Sequence, residues 1–428
     1  MLGILKNKIF SNALWMMFEK FIAIFGLIFV NAYMAKYVGP ENYGKIVFAT
    51  TIFLFIQNIS WFGAQNVYFK RMSEKPISGI KFALSTLAIR RFALFIISIL
   101  TLLYLYIYSD FIVFIFGIAN FIASYFLISD IYTPYNNSQL ISHINAISNV
   151  IGLVVALIVR FVQVYFEAHV YYMAIPIVLI ATIPYSIRYI LFSRKKINFK
   201  SSKSIKIRYS KYLFKTGGAL FLSSISIVFY SQISNIFLAK YSSYTDLGYY
   251  NIAMTLGSSW AFINTAIITS FFSKIFSEKN MEKSQFFFLI VNYLVIFISL
   301  LVYVFYYFFG EALVEILYGV SYLKSAEILG IIVVATLFSG VGTIAYRYML
   351  KFGAYKYLSM KMLMMAIFSL PLSYFLISSY NIWGAAWCFV LVEFISATIG
   401  NYFFDKGRIL KAHSMLFKPS VILRTFRN

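Results

Sequence analysis

Among the charged side chains that fall inside long apolar stretches of this 428-residue sequence, eight are candidates for chemistry: Glu19, Lys20, Arg90, Arg91, Asp130, Arg160, Arg188 and Glu393. An ion at the centre of a bilayer costs at least about 2.5–3.5 kcal/mol on insertion scales, so a membrane chain keeps one there for binding, ion coupling or pairing across helices. Cations outnumber carboxylates in this set, and a cavity built from them favours an anionic ligand. Glu19, Lys20, Arg90, Arg91 and Arg160 are therefore candidate cavity residues. Arg160 and Arg188 lie about one turn from helix ends, where a long side chain can instead snorkel to the interface. The acids in or at the edge of spans are Glu19, Asp130, Glu327 and Glu393, and any proton or sodium relay must draw on them. Asp130 and Glu393 are the ion-coupling candidates. Asp130 and Glu327 stand near predicted helix ends, within reach of solvent. Glu393 has no charged neighbour within two turns, so it either pairs with a cation of another helix or is protonated much of the time, and the structural pairing is the favoured reading.

Uncharged polar residues also gather on particular faces. Asn251, Thr255, Ser258, Thr265 and Thr269 recur at helical spacing, as do Ser224, Ser231 and Asn235. Asn12, Glu19 and Gly26 are seven apart, Gln57, Trp61 and Gln65 four apart, and Ser142, Asn145 and Asn149 follow further on. Any one such residue serves equally as glue between helices. Collected on the first, second, seventh and eighth spans they read as a shared cavity lining, with Asn251, Thr255 and Ser258 as binding candidates. Motifs for covalent chemistry are missing. There is no G-x-x-x-x-G-K-[ST] phosphate loop and no G-x-S-x-G elbow. The three histidines, His143, His169 and His413, are scattered and form no metal-ligand spacing, so neither a metal nor a cofactor is expected, and the chain reads as a non-enzyme.

The elements that must position these residues are apolar runs. Hydrophobic residues make up 61% of the chain, charged ones 12%, and the mean hydropathy is +0.80. A span needs about 20 consecutive apolar residues. Twelve such runs are read at 12–36, 44–67, 84–108, 111–131, 144–164, 172–192, 216–239, 247–272, 286–308, 326–349, 358–378 and 382–403. They are too long and too uniformly apolar for barrel strands, so an all-α membrane protein is expected. The net charge of +23 is mostly topological, because Lys and Arg concentrate in alternate loops and in the C-terminal tail. By the positive-inside rule both termini are cytoplasmic, and nucleic-acid binding is not expected. The single cysteine, Cys388, forms no disulfide framework. The first span, with Lys6 and Lys8 ahead of it, reads as a retained helix.

The polar stretch 193–215 divides the chain into an N-terminal six-helix lobe (1–192) and a C-terminal one with a basic cytoplasmic tail (216–428), joined by a basic cytoplasmic linker. The halves echo each other. Ala35-Lys36-Tyr37, Gly44 and Ala49 recur as Ala239-Lys240-Tyr241, Gly248 and Ala253 at a constant offset of 204. Six spans per half imply parallel repeats related by a pseudo-two-fold along the membrane normal, an arrangement suited to alternating access.

One loop carries a family likeness. Tyr37-Val38-Gly39-Pro40-Glu41-Asn42-Tyr43-Gly44 resembles the signature joining the first two spans of Wzx-type O-antigen and polysaccharide flippases, in the multidrug/oligosaccharidyl-lipid/polysaccharide superfamily. Asp246-Leu247-Gly248-Tyr249-Tyr250 with Ala253, Leu317-Tyr318-Gly319 through Ala326-Glu327-Ile328-Leu329, and Gly384-Ala385-Ala386 with Glu393 are similar to later segments of that family. The resemblance implies a MATE-like fold of two six-helix lobes around a large cavity. It also implies an undecaprenyl-pyrophosphate-linked oligosaccharide as cargo, a bacterial inner-membrane location, and contact with membrane lipid and other polysaccharide-assembly membrane proteins. Two departures stand out: Gln232-Ile233-Ser234 and Trp61-Phe62-Gly63 occupy places where relatives often carry aspartate. A multidrug-type cation antiporter of the same fold is the alternative within transport, and a membrane-embedded polysaccharide polymerase the alternative outside it.

Overall fold

Apolar runs without water must close their backbone hydrogen bonds within themselves, and the described residues of this chain do so entirely as helices. The computed structural model describes residues 2–194 and 203–417, with side chains except for most before residue 31 and for 66, 203, 219, 220, 273, 274 and 277. Helix α1 (Leu2–Trp61) holds two predicted spans and breaks at Gly39, whose φ of 77° is open to glycine, with Pro40 starting the resumed helix. After a turn at Phe62 and Gly63 come α2 (Ala64–Glu74), α3 (Pro76–Tyr108), α4 (Phe111–Ser129) and the short α5 (Tyr132–Ser138). Helices α6 (Ser142–Tyr165) and α7 (Ala174–Ser193) follow, then α8 (Lys203–Tyr241).

The first compact unit runs from Met1 to Val228 and the second from Phe229 to Asn428, so the border falls inside α8. The stretch read as a linker is thus helical from Lys203 onward. It is also docked within its unit. Tyr209 and Tyr212 pack against Phe82 and hold the Arg71 guanidinium 5.1 and 5.2 Å from their ring centres, while Phe214 and Phe221 flank Phe62. Small residues let other helices approach. A side-chain carbon at Gly152 would lie 2.6 Å from Pro184, so α6 and α7 meet backbone to ring.

The second unit continues with α9 (Tyr244–Ser259), α10 (Ala261–Ser277), α11 (Met281–Tyr318), α12 (Ala326–Lys351) and α13 (Tyr355–Ala397), closing with α14 (Ile399–Tyr402) and α15 (Arg408–Ser414). The eighth span, expected to be continuous over 247–272, breaks at Trp260. Gly257-Ser258-Ser259 precedes the break, and the Trp260 indole donates back to the Gly257 carbonyl at 2.7 Å. Gly257 also admits Ile332 of α12, which would stand 2.7 Å from an added carbon. Helix α13 holds the last two predicted spans and leaves helical geometry at Asn381. Ten described stretches are long and apolar enough to cross a membrane. One of these, Tyr355–Tyr402, contains two predicted spans, and the first predicted span lies mostly before the stretch that begins at Asn31. The chain is a multi-pass membrane protein.

Each unit carries an ion pair in matching places. In the first, Lys45 near the start of the second span meets Asp110, which directly precedes α4, at 2.7 Å, and Glu41 at 2.9 Å. In the second, Asp246 at the start of α9 meets Lys324, two residues before α12, at 3.1 Å. The signs are reversed between the two.

Candidate functional site

Within the first unit three arginines are buried among helices, and their partners differ. Arg188 of α7 ion-pairs with Asp130 at 2.6 Å and donates to the Asn149 amide oxygen at 2.7 Å. Asp130 in turn receives the Tyr132 and Thr133 backbone amides and the Thr133 hydroxyl. This corrects two expectations. Arg188 does not snorkel and Asp130 is not solvated; both are buried, and together they fasten the end of α4 and the start of α5 to α7. Beside them Asn136, Asn137 and Asn145 bond one another, so the polar residues of the fifth span knit this unit together.

Arg90 and Arg160 have no carboxylate partner among the described residues. Arg90 is 1% exposed and donates to the Ile128 carbonyl at 2.9 Å, and its guanidinium lies 4.7 Å from the Trp61 ring and 4.9 Å from Tyr68. Cation–π contact and carbonyls stabilise the charge without cancelling it. Arg160 is 7% exposed, donates to the Asn31 amide oxygen at 2.7 Å, and leaves its Nε without a partner. Arg91 is half-buried, bonds the Ser129 hydroxyl at 2.9 Å and covers Tyr125. The side chains of Glu19 and Lys20 lie outside the described residues.

Within the second unit the break after α9 opens a polar cavity of about 140 Å³. Ser258, Asn264, Thr265, Thr336, Ser339 and Thr343 line it. Thr265, Thr336 and Thr343 donate to carbonyls of their own helices, which leaves their oxygens free to accept. Asn264 is 3% exposed, and both its amide oxygen and its amide nitrogen lack partners. Gly340 makes room for it: an added carbon there would lie 3.2 Å from the Asn264 nitrogen. The cavity can therefore both donate to and accept from a neutral polar guest such as water or a hydroxyl, at roughly 30 Å³ per water. Of the residues singled out on the eighth span, Ser258 and Thr265 line this cavity, whereas the half-buried Asn251 and Thr255 do not.

Glu393 is buried one hydroxyl away from that cavity. Ser339 is its hydrogen-bonding neighbour, and the cation it senses is Lys361, on the preceding span. Lys361 itself donates to the Ser396 carbonyl at 3.1 Å and the Asn401 amide oxygen at 2.9 Å. Neither Lys361 nor Asn264 was singled out from the sequence. Lys361 sits four residues inside the predicted eleventh span, a position that could have marked it as a charge at membrane depth.

The sequence pattern of the family described as "Polysaccharide biosynthesis protein" matches residues 33–327. No curated protein matches the chain. Among solved structures the chain is similar to the lipid II flippase MurJ in its inward closed conformation, with a TM-score of 0.67, 16% identity, and coverage of 96% of this chain and 92% of that one. It is also similar to a MATE transporter in a bent conformation, at a TM-score of 0.59 and 14% identity, covering 99% and 97%. An inward-facing multidrug resistance MATE family transporter of the MOP superfamily matches at 0.59 and 14%, covering 97% and 96%. At such identities the likeness establishes the fold, which is MATE-like.

Proposed function

The chain belongs to the polysaccharide biosynthesis protein family, and on that premise we propose that it is a flippase for lipid-linked sugar repeat units. The cargo is an undecaprenyl-pyrophosphate-linked unit of O-antigen or a related polysaccharide, carried by alternating access from the cytoplasmic to the periplasmic leaflet of the bacterial inner membrane. Residues 1–192 and 216–428 act as the two lobes, and both termini and the 193–215 segment face the cytoplasm, in keeping with the basic-residue asymmetry.

The observation that carries the reading is Arg160: a guanidinium 93% out of solvent with an amide neighbour and no described carboxylate. Helices in lipid retain an uncompensated cation where it meets an anion that comes and goes. A pyrophosphate is such an anion. The polyprenyl tail stays in lipid throughout, and no covalent step is required.

The test is complementation of a bacterial strain lacking its own repeat-unit flippase. The wild-type chain restores surface glycan. Arg160→Gln at equal membrane abundance lowers it by about tenfold or more, the scale of removing a charged hydrogen bond worth about 1.5–3 kcal/mol, and Arg160→Lys retains part of the function. Failure of the wild type to restore glycan in strains supplying a panel of repeat units would end the proposal.

A further inference from the structure

The second unit has a larger cavity that the reading above does not use. It has a volume of about 580 Å³ and lies between α11, α12 and the second half of α13. Helix α11 has 38 residues, nearly twice the about 20 needed to cross hydrocarbon. Counted from the run read as its span, 286–308, its C-terminal turns and the segment Val320–Ser325 extend beyond hydrocarbon toward headgroup level.

The lining is aromatic and charged. Tyr303, Tyr307 and Trp387 form exposed walls, and Gly330 leaves the space the Tyr303 ring takes, since an added carbon would stand 3.2 Å from that ring. Glu311 and Glu327 present exposed carboxylates with no ion-pair partner among the described residues. Lys324 stands at the rim, half-exposed, with its charge shared by Asp246. In a chain of net charge +23, a groove with two free carboxylates and a partly neutralised lysine is locally acidic.

We propose that this groove holds the headgroup of an amine-bearing zwitterionic phospholipid. Aromatic faces and carboxylates together recognise an ammonium group, the faces through their quadrupole and the carboxylates by accepting its N–H bonds. The lipid phosphate meets Lys324 at the rim, and the acyl chains run down the exposed apolar flank of α11, where Leu300, Leu301 and Val304 face outward. A lipid fits better than a soluble amine because the groove opens at the depth where headgroups already lie.

The experiment is native mass spectrometry of the full chain released from bilayers of equal parts phosphatidylethanolamine and phosphatidylglycerol. The wild type is expected to retain phosphatidylethanolamine over phosphatidylglycerol by about fivefold, the scale of an exposed ion pair reinforced by an aromatic face. The double variant Glu311→Gln/Glu327→Gln, which keeps shape and removes charge, loses that preference, and Gly330→Leu, which fills the groove, lowers retention of the same lipid. Surface glycan is measured in parallel and is expected to persist in both variants. Equal retention of the two lipids by the wild type would overturn the proposal. So would a preference unchanged in the double variant.

Discussion

Single side chains in this protein are decided by what stands opposite them. Asp130 and Arg188 are 58 positions apart in sequence and 2.6 Å apart in space. Removing one partner of a buried pair leaves the other charge bare, at about 3–5 kcal/mol. Asp130→Asn should therefore lower the thermal midpoint in detergent sharply, and Asp130→Asn/Arg188→Met should recover part of the loss. A single variant as stable as wild type but with altered response to a pH gradient would return Asp130 to ion coupling. His413 provides a pH prediction. It stacks on Phe288, and burial pushes its imidazole down to about 4. The unfolded chain binds its proton near 6.5, so the region keeps full stability above that value and loses it as pH falls from 6.5 toward 4. Thermal midpoints at pH 7.5 and pH 5 should differ by on the order of 2 kcal/mol of stability in wild type, and His413→Gln should reduce the difference. The sequence showed these residues as charges at depth without their partners. Spacing along one helix cannot say which neighbouring helix supplies the counter-charge, so Arg188 resembled a snorkelling residue and Lys361 passed unnoticed.

At the level of elements, the apolar runs were legible because hydrocarbon thickness fixes their length, and ends such as Phe111 and Tyr165 fall within a residue or so of the expected limits, whereas the second run, expected over 44–67, breaks after Trp61. Breaks inside runs were harder. Trp260 is neither Pro nor Gly, and its break is prepared by Gly257-Ser258-Ser259, a local cue that the run's apolar character conceals. The docked start of α8 was hidden because its lysines announce solvent while Tyr209 and Tyr212 do the packing. Close helix approach gives a direct test. Gly152→Val would drive side-chain atoms into the rigid Pro184 ring, and overpacking of this kind costs about 1–3 kcal/mol. Its thermal midpoint should fall, while Gly218→Ala, where nothing lies within 4 Å, should leave the midpoint unchanged.

For the molecule as a whole, orientation follows from where the cations are. A reporter fused at Lys203 should be active only if it works in the cytoplasm, and periplasmic phosphatase activity there would invert the proposed topology. The reversed ion pairs bear on how such a chain is made. Lys45 finds Asp110 within 65 positions, and Asp246 finds Lys324 within 78, so each half can fasten itself as soon as its own fourth span is inserted. A newly made protein with two similar halves risks exchanging partners between them. Here the exchanged contacts would set Lys45 against Lys324 and Asp246 against Asp110, like charge against like, which costs energy where the correct contact gains it. Opposite polarity in the two halves thus penalises the wrong pairing, so a protein with similar halves favours the contacts within each half.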